Sequence, residues 1–408
     1  MGPDGFVDDP ENDVILGSGM DRPLGGKERS PGAGILPIQD LKAAVNAGWI
    51  TAPVPIGEIQ FQPASLDLRL GAVAYQLRSS FLPFRKTVQA RLKENQIDFT
   101  ETDLVIDQLS LDRPATLQKG SVYLVPLSES LKLPRHVRGR CNPKSTTGRL
   151  DIFTRVITDA APRFDDVQAG YRGPLYVEIS PQSFPIRIEA GVSLSQLRLL
   201  VGDTQASDDE IASVDAATPL LYDDDDRQIP LTAENLNDGI CMGVDLSGRK
   251  TAGIIGYRAR ANPPVIDLSR VDHYASQEFW EPIEEPNRDS YILEANRFYI
   301  LVSKERIRVP VTFAAEMAVY DASAGEIRTH YAGFFDPGFG YGDGSILGTK
   351  VVMEARARDV PVMLYDGQPL FTVRFEWMRA KPERVYGEGV GSSYEHQALT
   401  LSKQFRRK

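Results

Sequence analysis

Two stretches decide the fold: LQKGSVYLVPLSESLKLP (Leu117 to Pro134) and LEANRFYILVSKERIRVP (Leu293 to Pro310). They align without gaps at an offset of 176 residues. The same offset lays LYVEI on VVMEA, so that Glu178 falls on Glu354, and carries on through Pro185 and Pro361, Gly191 and Gly367, Arg198 and Arg374. Upstream, at a nearly equal offset, ASLDLRLG around Asp67 pairs with MGVDLSG around Asp245. Chance does not keep one offset from Leu117 to Arg198, so the chain reads as two tandem copies of one unit.

Within each copy the apolar runs are short, alternate with polar residues and are punctuated by Gly and Pro, as in SVYLVPL, RFYILVS, PLYVEIS, FPIRIEAG and VPVMLYDG. That period of two predicts half-buried strands. A helix signal is clearest in IQDLKAAVNAGWI (Ile38 to Ile50), where Leu41, Val45 and Trp49 share a face and Gly48 lies near the stop. The expectation is a mainly β protein of two jelly-roll or β-barrel-like domains with short helices. Its divisions are an arm at 1–34, a first domain at 35–201, an acidic linker at 202–229, and a second domain with a C-terminal tail at 230–408.

Lys and Arg number 46 against 56 Asp and Glu, a formal net charge of −10. Nine acids and neither Lys nor Arg lie between Asp203 and Asp226, and the arm adds seven acids to three bases. The domains themselves are therefore slightly basic. This balance disfavours a long nucleic acid, which needs a broad basic face, but not a small polyanion. The hydrophobic fraction of 42% and charged fraction of 25% fit a folded globular chain.

Only Cys141 and Cys241 stand beside four histidines, which excludes a disulfide scaffold and a CxxC zinc site. The His-x-Glu and Pro-Cys-x-x-Cys pattern of zinc-dependent nucleobase deaminases is missing too. The opening MGPDGFVDDPEND has neither a basic nor an apolar signal region, and no apolar run approaches the roughly 18 residues of a membrane span. The expected location is the cytoplasm, away from membranes.

Two features point to chemistry. From Ser130 to Leu150 the chain holds Lys132, Arg135, Arg138, Arg140, Lys144 and Arg149 with no acid, ending in the small polar turn Asn142 to Gly148. Such a cluster suits an oligophosphate, held by charge-assisted hydrogen bonds and backbone donors. It equally suits a solvated strand edge kept basic against aggregation. Glu178 lies inside a strand run, where a carboxylate is expensive unless paired or working, although in the period-two pattern it shares a face with Tyr176 that would look to solvent.

Four segments carry a resemblance: ASLDLRLG (Ala64 to Gly71), KSTTGR (Lys144 to Arg149), AGYRGPLYVEI (Ala169 to Ile179) and SYEHQ (Ser393 to Gln397). The chain resembles the metal-independent dCTP deaminases, which share a trimeric β fold with the dUTPases, and in particular their long, tandem-duplicated branch. The fold this implies is two dUTPase-like domains of the distorted jelly-roll, or β-clip, type. The activity implied is hydrolysis of dCTP to dUTP and ammonia within deoxynucleotide biosynthesis.

By that resemblance Lys144 and Thr146 contact phosphates, Ser145 holds the attacking water, and Arg149 stands beside the catalytic carboxylate Glu178. Tyr394 and Gln397 match a triphosphate-covering tail, though the family's Lys before the tyrosine is Ser393 here. Arg163 and Asp165 stand for an Arg-x-Asp at the sugar, and Tyr171 for the aromatic of the turn before Glu178. The implied metal is magnesium carried on the triphosphate, with no zinc and no protein metal ligands. A homo-oligomer of the trimer type and dTTP as a feedback ligand are implied as well.

The second copy departs from the pattern, reading YDASAGEIR (Tyr320 to Arg328), with Asp321 on Ser145 and Gly325 on Arg149. An acid repels phosphate, so this copy is expected to lose a site of its own while still supplying a wall of one, with Glu354 as the alternative carboxylate. Two other functions stay open. One is dUTP hydrolysis, alone or coupled to deamination, weakened because Gln168 occupies the turn position where that chemistry uses Asp. The other is a nucleotide-binding regulator without turnover.

Overall fold

The structure, a computed structural model, describes residues 32–94, 104–286, 289–318, 327–330, 333–342, 344–387 and 399–406, the segment 327–330 as backbone only. It is mainly β with a few short helices. The duplication is visible in the strand order. In the first half one sheet runs Val105–Ser110, Val73–Leu77, Val122–Lys132, Arg172–Pro181, Ile152–Thr158, with Ile50–Thr51 on the flank of Val122–Lys132. In the second half the order is Trp280–Glu284, Ile254–Ala259, Phe298–Ile307, Thr349–Ala357, Ile327–His330, with Leu221–Tyr222 on the flank of Phe298–Ile307.

The companion sheets repeat in the same way. Ser193–Val201 and Val137–Pro143 pair at the centre of one, and Pro369–Trp377 and Phe313–Ala318 at the centre of the other. The predicted N-terminal helix forms over Ile38–Asn46 and buries Leu41, while Trp49 seals its end. Of the arm expected at 1–34, residues 1–31 lie outside the described residues, and Gly34–Ile35 is a strand on Val201 and Leu200.

The strand that carries Glu178 is covered on both faces. Leu175, Val177 and Ile179 enter the first core, and Tyr176 packs with Leu77, Leu124 and Ile157 in a second, smaller cluster. The face expected to look to solvent is therefore buried, and Glu178 is 1% exposed. A neighbouring strand supplies a cation instead of water, because register places Arg155 opposite Glu178. In the second half Glu354 takes Ile300 on one side and His330 on the other.

The halves are not separable beads. The first core includes Phe279, Trp280, Phe298, Ile300 and Phe405, and Ile266–Asp267 adds a parallel strand to Ile186–Ile188. Phe184 meets Phe279 and Trp280 with ring centroids 6.1 and 5.1 Å apart. Burying each such ring contributes about 1.5–3 kcal/mol.

A charged seam lies beside this apolar one. Arg198, fully buried, donates to Ala315 O at 3.0 Å and Phe335 O at 2.9 Å and stacks on Phe334. Arg140 pairs with Glu316, its own counterpart 176 residues on, at 2.5 Å. Burying such cations is costly unless acids surround them, and Glu316, Glu376 and Asp336 do so.

The acidic segment expected as a linker at 202–229 is ordered by its acids. Ser207 and Glu210 form a capping box on the helix Asp208–Ala217, whose first-turn acids favour the positive helix end. Asp208 accepts from the backbone N–H groups of Asp238 and Gly239. Beyond it, Asp224 pairs with buried Lys350 at 2.9 Å and Asp226 with Arg306. Asp208 and Asp224 thus tie this segment into the second half, while Asp226 makes its ion pair from an exposed position. Among the described residues no helix is long and apolar enough to cross a membrane.

Candidate active site

A cavity of about 1000 Å³ opens where the two halves meet. The first half lines it with Asp67, Arg69, Lys144, Ser145, Thr146 and Arg149, and the second with Asp336, Lys350, Glu354, Arg384, Tyr386 and Lys403. KSTTGR gives a single helical turn at Ser145–Gly148, closed by Arg149. Its position is fixed from three sides. Lys144 N donates to Leu194 O at 2.9 Å, the buried Thr147 hydroxyl donates to the same carbonyl at 2.9 Å, and Asp151 just beyond it binds Ser183 Oγ at 2.6 Å and Arg356. Arg356 lies two residues after Glu354, so the two halves are tied together at the site itself.

Lys144 pairs with Asp67 of the ASLDLRLG segment, and Arg69 holds buried Glu129 at 2.8 Å. The wall is thus basic but orderly, with several cations already held by acids from the chain. Arg149 is 7% exposed and donates from Nη1 to Thr400 O at 2.8 Å.

Glu354 is the chemically unusual group. Burial pushes its carboxyl up from the usual carboxylate range to about 8, the Arg149 charge pulls it down, and Asp151 pushes it up again. A carboxylic acid poised near neutral pH, beside a cation and open to a cavity, suits proton transfer in both directions.

Glu178 does not meet Arg149 in this chain, contrary to the expectation. Its Oε1 accepts from Arg155 Nε at 3.1 Å and Nη2 at 2.5 Å, and Arg155 in turn stacks on Phe164 and Phe153 and reaches Ser80 Oγ at 2.7 Å. Arg149 instead faces the equivalent Glu of the other copy, because the cavity joins the motif of one half to the central strand of the other. Lys144, Ser145, Thr146 and Arg149 all line this cavity. Glu178, Arg163, Asp165 and Tyr171 are not part of the cavity wall.

These residues have other employment or none. Tyr171 OH donates to Pro174 O at 2.7 Å and accepts from Asp159 N at 3.1 Å, and burial pushes it up to about 12. Gly173 packs so closely here that a Cβ would meet that hydroxyl at 2.7 Å. Asp165 accepts from Val156 N at 2.7 Å and is pushed up to about 7 by burial. Arg163 is exposed. Tyr394 and Gln397, with Asp321 and Gly325, lie outside the described residues. Sequence reasoning missed Arg356, Arg384 and Lys403, none of which lies in a motif, and Asp67 entered only within a repeated, family-like segment without a role of its own.

Comparison with known proteins agrees with this architecture. Residues 32–203 match the family model described as 2'-deoxycytidine 5'-triphosphate deaminase (DCD) N-terminal domain, and residues 207–405 match the one for its C-terminal domain. The chain belongs to the 2'-deoxycytidine 5'-triphosphate deaminase family. Among solved structures it is similar to the 2'-deoxycytidine 5'-triphosphate deaminase from Agrobacterium tumefaciens, with 39% identity and a TM-score of 0.77, covering 85% of this chain and 99% of that one. Among curated relatives it is 28% identical over 166 residues to "dCTP deaminase, dUMP-forming" of Corynebacterium jeikeium (strain K411), 40% of this chain and 80% of that protein. It is 30% identical over 149 residues to the protein of the same name in Dictyoglomus turgidum (strain DSM 6724 / Z-1310), 36% of this chain and 68% of that one.

Proposed function

We propose that the chain hydrolyses dCTP to dUTP and ammonia in the cavity between its halves, with Glu354 as the proton-transferring carboxylate. The observation that carries this reading is a buried Glu354, pushed up to about 8, in one cavity with Arg149, Ser145, Thr146 and Lys144. Water attacks ring carbon 4, giving one proton to Glu354, which passes it to ring nitrogen 3. The new C4 hydroxyl then gives its proton through Glu354 to the amino group, the C4–N bond breaks, and ammonia leaves a uracil. A carboxyl poised near the working pH makes both transfers nearly level in energy. Ser145 orients the water, and Arg149 keeps Glu354 from holding its proton too tightly.

The triphosphate lies along Lys144, Thr146 and the cations beside them, with magnesium arriving on the substrate. Among the described residues no group of three or more His, Cys, Asp or Glu is placed to hold a metal. Repetition of one strand order in both halves supports the finer fold reading, two dUTPase-like jelly-roll domains at 35–201 and 230–408 with 202–229 between them. A trimer-type homo-oligomer in the cytoplasm and dTTP as a feedback ligand remain parts of this proposal.

A second reading is favoured by the curated relatives named dUMP-forming: dUTP is hydrolysed further, to dUMP and pyrophosphate. One assay separates the readings. Purified protein is incubated with dCTP and with dUTP, and ammonia, pyrophosphate and nucleotide products are followed. Ammonia with dUTP supports deamination alone, pyrophosphate with dUMP supports the coupled reaction, and binding without turnover supports a regulator.

A further inference from the structure

We propose that the C-terminal segment 399–406 is a positioning element of the deamination site, holding Arg149 and the turn that carries Ser145. It rests on the reading above, in which Arg149 acts on Glu354. The segment touches the motif twice. Arg149 Nη1 donates to Thr400 O at 2.8 Å, and Ser402 Oγ lies 3.2 Å from Thr146 O and 2.6 Å from Gln404 Oε1, its one proton shared between them. Lys403, between Ser402 and Gln404, lines the same cavity.

The segment is anchored well enough to act as a fixed support. Phe405 is 3% exposed, with its ring 5.3 Å from Phe279, 6.2 Å from Trp280 and 6.5 Å from Tyr274. Gln404 O accepts from the backbone N–H groups of His273 and Tyr274, and Gln404 Nε2 donates to Leu268 O at 3.1 Å. Ordering these residues costs backbone entropy, and the aromatic anchor offsets it.

The chemical sense lies in the kind of acceptor. A carbonyl orients a guanidinium through a dipole without cancelling its formal charge. A carboxylate neutralises it, as Glu178 does Arg155. Glu354 is acted on by the charges of Arg149 and Asp151 from the motif turn, is paired through the backbone with Ile300 and His330 on the flanking strands, and has Arg356 two residues along its own strand. Of these, Arg149 is the cation that lowers its proton affinity.

The test uses the full chain and measures ammonia release from dCTP against pH, with thermal melting as the check on folding. Phe405→Ala, which loosens the anchor, is expected to lower kcat about tenfold while KM stays within about threefold. The pH limb of kcat set by Glu354 should move to higher pH, and Phe405→Leu should restore most of both effects. A folded Phe405→Ala with the parent's kcat and pH limb overturns the proposal. If that variant does not fold, Ser402→Ala decides: a smaller upward move of the limb supports it, and an unchanged limb overturns it. A parent inactive on dCTP would instead sink the functional reading on which the proposal rests.

Discussion

Arg149 and Glu354 share one cavity although they belong to opposite halves of a duplicated chain. Their relation is electrostatic at a distance, whereas the equivalent Glu178 is locked in a direct ion pair with Arg155. Two carboxylates at matching positions of the repeat thus meet different environments: one is neutralised, the other is left holding a proton near neutral pH. Four predictions follow from this asymmetry and the geometry around it.

Glu354→Gln should lower ammonia release at least about a thousandfold while dCTP still binds, since the amide keeps the shape but carries no proton between water and ring nitrogen. Glu178→Gln should retain turnover. Steady-state kinetics and equilibrium dialysis on both variants check this, and loss of turnover in the Glu178 variant alone would return the catalytic role to Glu178.

Stability should fall with rising pH through Glu354. Its proton affinity is raised on folding, from 4.5 to about 8, so the native state binds more protons than the unfolded state in that window. The contribution is fully present below 4.5 and is lost as pH rises through about 8. Glu354→Gln does not titrate, so it should gain on the parent by roughly 2–4 kcal/mol between pH 5 and 9. Melting curves across that range check this, and a constant gap between the two proteins contradicts the raised affinity.

Arg155→Met should destabilise the protein by roughly 3–5 kcal/mol, because it leaves Glu178 buried without its cation. The double variant Arg155→Met with Glu178→Met should recover most of that loss. Denaturant titration of the four proteins in the cycle gives the coupling, and independent, additive effects would mean that the pair is not a unit.

Arg149→Met should lower kcat about a hundredfold and move the Glu354 limb of the pH profile upward, since the charge that offsets part of the effect of burial is then gone. Arg149→Lys should recover part of the rate, having charge without the planar fork that reaches Thr400 O. A profile whose limb does not move in the Met variant would show that Arg149 does not set the proton affinity of Glu354.

Much of this was legible in the sequence. The constant offset announced two copies, the period of two announced strands, and KSTTGR announced a basic turn, of which Lys144, Ser145, Thr146 and Arg149 line one cavity. Composition marked the stretch from Asp203 to Asp226 as acidic but could not say that Asp208 meets backbone donors and Asp224 meets Lys350 in the fold. Lys403 and Arg384 carried no local signal, since single cations on loops are common and only folding places them at a cavity mouth.

What the sequence by itself determined is the duplicated β framework, the motif turn and two candidate carboxylates at matching positions. Which carboxylate shares a cavity with Arg149 was decided by tertiary structure alone. Matching positions share local sequence pattern, so both Glu residues read alike along the chain. Their difference lies in non-local pairing: register sets Arg155 against Glu178, while packing of the halves brings Glu354 to the motif of the other copy. Burial then raises a proton affinity that no local stretch of residues encodes.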